Sequence, residues 1–215
     1  MRRLLRIALI ALLLAPAVSP QAKADDLAAA EAAFWESASD KEHAGLLSAY
    51  LLHFPEGRFA AAAAQLFQEE TGQAWTTGTA AQAAWREPGH VAQTVSGNTL
   101  LTGRWTHTAV CDINLLTQDI QIESSQIFRA AGNGALTGDS SFRHSARFHG
   151  AGKILELRVR GDLMTYVMQA ENNITGTEVH IGILNVQATG GVLRTRGWEM
   201  NTAGAYCDMS GEKLP

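Results

Sequence analysis

The sequence predicts an α+β protein: an N-terminal helical hairpin module followed by an antiparallel β barrel or sandwich. Three observations carry this. Residues 25–70 are rich in Ala, Leu, Glu and Gln, with apolar residues at three- and four-residue steps. From Leu100 the apolar period changes to two. Strand signals then follow one another across Gly-rich turns with no helical crossover, which makes the sheet antiparallel.

The first element is a targeting segment. Arg2, Arg3 and Arg6 precede an apolar run from Ile7 to Ala15, Pro16 and Pro20 break it, and Ala22-Lys23-Ala24 places small residues where a signal peptidase reads. This is the architecture of a secretory signal peptide over residues 1–24. The apolar run falls short of the roughly 20 residues that span a bilayer, and no later segment is apolar enough, so no membrane span is expected after cleavage. Cleavage leaves 191 residues with 13 bases against 21 acids, a net charge of −8. So acidic a chain is a poor nucleic-acid binder.

Residues 25–70 form the expected hairpin module. Asp25 and Asp26 suit a helix N-terminus. Ser39-x-x-Glu42 has capping-box spacing and predicts a second helix from near Asp40. Leu46, Leu47, Tyr50, Leu51 and Phe54 give that helix an apolar face, and Pro55 ends it. A third helix is expected over 58–70, with Phe59, Ala62, Ala63, Leu66 and Phe67 on its contact side. Phe34-Trp35-Glu36-Ser37, Tyr50-Leu51 and Phe54-Pro55-x-Gly57-x-Phe59-Ala60 resemble a short tetratricopeptide-like repeat (FWxS…YLxxFPxGxFAxxA) of exported bacterial proteins, often found beside caspase-like domains. The resemblance covers about 35 residues and implies protein contacts, with Trp35, Tyr50 and Phe54 as the docking residues. Residues 71–98 read as a linker whose Trp75 and Trp85 pack onto a neighbouring surface.

Residues 99–215 form the expected β domain. Strands are predicted at 101–110, 118–128, 141–149, 154–160, 163–169, 177–187 and 192–200. Gly161-Asp162 supplies a two-residue hairpin turn between ILELRVR and LMTYVMQ. If the domain is a barrel, Leu155, Leu157, Val159, Met164, Tyr166 and Met168 are its inward-facing residues. Gly103-Arg104-Trp105 on the first strand resembles the Gly-x-Trp of lipocalins, which implies an up-and-down barrel.

Cys111 and Cys207, an even pair in an exported chain, are expected to form a disulfide joining the first strand to the last. A cysteine nucleophile is the rival, since His149-Gly150 precedes Cys207 in the order of caspase-like peptidases. Ala205-Tyr206-Cys207-Asp208 lacks that family's signature, however, and the strand-after-strand pattern denies its parallel sheet. No paired His or Cys spacing suits zinc, since His144 and His149 stand five apart on an extended chain. A Gly-x-Ser-x-Gly elbow and phosphate-binding glycine loops are absent from the sequence. No cofactor, metal or catalytic residue is therefore expected. Arg143, Arg147, Arg158, Arg160, Arg194 and Arg196 fall at even spacings within their strands and form a candidate anion-binding face.

The leading expectation is an exported, non-enzymatic binding or interaction protein of the bacterial cell envelope, periplasmic or secreted. Its partner would be an envelope protein or an anionic glycan. The alternative is a lipocalin-like barrel carrying a small apolar ligand, and the third reading is a hydrolase with an unrecognised carboxylate site.

Overall fold

A computed structural model of the chain describes residues 20–39, 44–76, 100–112, 120–131, 136–144, 148–203 and 205–215. They contain helices α1 (Pro20–Ser39), α2 (Ala44–His53) and α3 (Ala60–Thr71). The strands are β1 (Gly103–Asp112), β2 (Ile120–Ala130), β3 (Leu136–Arg143), β4 (His149–Arg160), β5 (Leu163–Asn172), β6 (Gly176–Thr189), β7 (Val192–Asn201) and β8 (Tyr206–Lys213). Each strand pairs antiparallel with the next and β8 returns to β1, so the sheet closes into an up-and-down barrel and is not a sandwich. Eight strands enclose just enough space for packed side chains or one small ligand.

Two strand expectations need correction. Residues 141–149 are not one strand: β3 ends at Arg143 and β4 begins at His149. β8 was not expected, because only Cys207 and Met209 of its eight residues turn inward and are buried apolar groups, too few to signal a period of two. The Gly161-Asp162 turn is present, with Gly161 at φ 65°, as is a second two-residue turn at Gly190-Gly191.

The helices also depart from the expected pattern. Residues 20–24 of the expected signal peptide are the first turns of α1, and residues 1–19 lie outside the described residues, as do Trp85 and the start of the second helix near Asp40. α2 is buried on every side, from Gly45 through His53, because it lies between its neighbouring helices and the barrel. On α3, Ala63 and Phe67 are buried but Ala62 is exposed, contrary to expectation. Gly72 ends α3 in a left-handed turn at φ 68°, its N–H returning to Gln68 O.

The hairpin is not a free-standing module. Phe34, Tyr50, Leu51 and Phe67 share one core with Val167, Ile181, Ile183 and Trp198 on the outer wall of the barrel. On β5 both faces are therefore apolar, which explains its nearly unbroken apolar run from Leu163 to Met168. A β-bulge between Ile154 and Glu156 changes which side chains face the helices. Leu155, expected inside, instead packs with the helices, while Leu157, Met164, Tyr166 and Met168 point inward with Val159 packed against them.

A polar clasp fastens α2 to this wall. His53, fully buried, places Nδ1 3.1 Å from Thr165 Oγ1 and Nε2 3.6 Å from Glu156 Oε2. Arg158 donates to the His53 carbonyl at 2.7 Å and pairs with Glu156 at 2.8 Å.

The closed end of the barrel, where β1 begins, is solid. Trp105, Phe128, Leu136, Leu157, Met164 and Leu184 fill it, and Trp105 Nε1 donates to Leu101 O at 2.8 Å. Gly103 and Trp105 of the lipocalin-like Gly-x-Trp thus stand at the barrel floor, with Gly103 at φ 120°. Higher up, glycines make room for large side chains that cross the interior. A Cβ at Gly182 would overlap the Tyr166 ring, and one at Gly211 would overlap His107.

Candidate functional site

Above this floor the barrel opens. A cavity of about 370 Å³ occupies the mouth half, where β1 ends and β2 begins. Its walls are mainly apolar: Ile120 and Ile122 from β2, Phe142 from β3, Met168 from β5, and the Cys111–Cys207 disulfide across the β1–β8 seam. Cys111 and Cys207 are register partners, so the bond closes the barrel at the level of the cavity. Phe148 and the exposed Ile174 stand at the rim.

One side of the wall is charged, and strand alternation puts it there. On β6, Val179, Ile181 and Ile183 turn outward under the helices, which turns Glu178 and His180 inward. On β7, Trp198 and Met200 likewise turn outward, leaving Glu199 and Asn201 inside. His180 lies between the two carboxylates: Nδ1 is 2.8 Å from Glu199 Oε1 and Nε2 is 3.2 Å from Glu178 Oε2, the second an ion-pair contact without hydrogen-bond alignment. Tyr166 donates to Glu199 Oε2 and sits 3.2 Å from Met209 Sδ. Thr175 donates to Glu178 Oε1, and Asn201 Nδ2 donates to Glu178 Oε2 at 2.8 Å.

This arrangement fixes charge states. Burial alone would lower the His180 pKa, but the Glu199 charge and the contact with Glu178 outweigh it and raise it to about 9. Burial would raise both carboxyls. The contact with His180 and the bond from Thr175 outweigh that at Glu178, and the His180 charge with bonds from His180 and Tyr166 does so at Glu199, so both stay below their usual range. Burial, reinforced by Glu199, raises the Tyr166 hydroxyl. His107, deeper in the barrel, behaves oppositely. Burial lowers it to about 4 against the weaker pull of Glu199, and its Nε2 meets Thr195 Oγ1 at 3.1 Å. At neutral pH this cluster therefore holds two carboxylates, one imidazolium and a protonated tyrosine. Among the described residues no group of three or more His, Cys, Asp or Glu is arranged to hold a metal ion.

The sequence-predicted residues fall elsewhere. Cys111 and Cys207 form the expected disulfide, 96 residues apart in sequence. Tyr50 and Phe54 are buried in the chain's own core, and half-buried Trp35 stacks on Phe59 at 5.0 Å, so the proposed docking rings are spent internally. The described arginines form no single face. Arg147 and the Arg160 side chain lie outside the described residues, Arg143 pairs with Glu123 at 3.8 Å, and Arg158 belongs to the helix clasp. Arg194 and Arg196 do share a polar groove on the outer wall with Thr106, Thr108 and Ser210, where Arg194 stands 3.8 Å from Glu212. The residues that define the cavity, Glu178, His180 and Glu199, were not singled out from sequence.

No protein-family model matches the chain, and no curated protein matches it. Among solved structures, a redesigned β barrel is similar at 14% identity, covering 54% of this chain and 94% of its own, with a TM-score of 0.43.

Proposed function

We propose that this chain is an exported, non-catalytic binding protein whose barrel holds one small, largely apolar molecule in its mouth half. The observation that carries the reading is the contrast within one barrel: a floor packed solid with side chains beneath an apolar cavity of about 370 Å³, within the usual range of ligand sites. The charge pattern favours binding over catalysis. An acid–base catalyst needs a group whose pKa lies near the working pH, whereas the Glu178–His180–Glu199 bonding holds both carboxylates ionised and the imidazole protonated. The disulfide supports an oxidising compartment. The alternative role of the helices as a partner-docking module has less support, since their apolar faces cover the barrel wall.

The test is to block the cavity. Ala109 lines it from β1, and Ala109→Trp places an indole in the space a ligand would take. A polarity-sensitive fluorescent probe titrated into the wild-type protein is expected to bind, and the variant should bind it at least about tenfold more weakly, a loss of about 1.4 kcal/mol. The variant's thermal transition should remain cooperative. Equal binding by both proteins, or no binding of any apolar probe by the wild type, overturns the reading.

A further inference from the structure

The charged side of the cavity carries more than its apolar walls imply. Two carboxylates face one imidazolium there, so the Glu178–His180–Glu199 cluster carries one uncompensated negative charge, and no Lys or Arg among the described residues lines the cavity; His144, the other histidine of the lining, has its Nδ1 2.6 Å from Gln121 O. The cluster is itself buried, with only 6–10% of each charged side chain exposed, so solvent screens that charge weakly. On the wall formed by β3, Ser140 Oγ is buried and has no hydrogen-bond partner among the described residues, although its residue lines the cavity. A buried hydroxyl left unpaired is costly and indicates a missing polar partner. Phe142 lies beside the cluster, its ring 6.3 Å from that of His180 and 6.1 Å from Phe148. Negative charge beside aromatic faces suits an organic cation.

We infer, resting on the carrier reading above, that the occupant is a small organic cation: an apolar body with one ammonium-type head that sits against Glu178 and Glu199 beside Phe142. The same charge disfavours fatty acids and other amphipathic anions. A head group that also accepts or donates a hydrogen bond can satisfy Ser140.

Three probes with a common tail separate the possibilities: octyltrimethylammonium, 1-octanol and octanoate, each titrated calorimetrically into the disulfide-bonded protein at pH 7. The expected order is ammonium, then alcohol, then carboxylate, with at least about tenfold between the two ions. Glu178→Gln and Glu199→Gln should each weaken ammonium binding severalfold and narrow the gap between the ammonium and octanoate, with a cooperative thermal melt checking that each variant folds. If Glu199→Gln fails to fold, the wild-type ranking and Glu178→Gln still decide. Equal affinity for both ions, or a preference for octanoate, overturns the inference but leaves the carrier reading intact. Binding of none of the three overturns both.

Discussion

His107 and His180 share one barrel interior yet sit at opposite ends of the histidine range. The cause is local: His107 has a hydroxyl partner in the packed middle of the barrel, whereas His180 has a carboxylate on each ring nitrogen. Their contributions to stability have opposite signs. The folded pKa of His180, about 9, lies above its unfolded value near 6.5, so its stabilisation is complete below pH 6.5 and is lost as pH rises towards 9. The folded pKa of His107, about 4, lies below that value, so stability falls as pH drops from 6.5 towards 4. The depressed Glu178 and Glu199 add to the acid-side loss at still lower pH. The melting temperature should therefore peak near pH 6.5. Thermal melts from pH 4 to 10 should show His107→Gln flattening the upper acid limb and His180→Gln the alkaline limb. A wild-type profile level from pH 6.5 to 9 would contradict the imidazolium assignment. These histidines were hard to read in the sequence because polar residues of an amphipathic strand are normally assigned to solvent. Here helices cover the outer wall, so the polar set Glu178 and His180 points inward and the apolar set points outward.

At the level of elements, the helices were legible from Phe54-Pro55-x-Gly57 and from their apolar spacing, but their destination was not. Nothing local in Tyr50 or Phe54 tells whether the ring meets a partner protein or the barrel of its own chain. The bulge at Leu155 is equally silent: an alternating run gives no sign that one residue will be skipped. His53 marks the join, because a histidine at the end of an apolar helix needs a polar partner once buried. His53→Ala removes ring packing and leaves Thr165 and Glu156 without that partner, and should cost about 2–4 kcal/mol. Urea unfolding checks this, with helix and barrel signals expected to coincide in the wild type. Substitution without measurable loss, or separate transitions for helices and barrel, would mean that the clasp does not couple them.

For the whole molecule, the cysteine pair was the most legible long-range feature, since two cysteines in a chain leave each of them one intramolecular partner. It joins strands 96 residues apart at the seam that closes the barrel. By loop entropy the bond contributes at most about 4–5 kcal/mol. Reduction should lower the melting temperature and weaken probe binding together, because the same bond lines the cavity. A reduced protein that melts lower yet binds as before would separate closure from the site. The barrel as such could be foreseen only as one of two options, since strand count and closure depend on β8, the strand with the weakest pattern.

The even number of strands has a directional consequence. β1 enters and β8 leaves at the packed floor, where Lys213 Nζ meets Leu100 O at 2.6 Å and Leu214 N meets Arg104 O at 2.9 Å. At the opposite end the described connection from β5 to β6, residues 173–175, stands beside the cavity. Any tether or fused domain joined beyond β8 is therefore held on the far side from the opening. Anchored to a surface in that way, the protein stands like a cup on its base, with the rim turned towards whatever diffuses past.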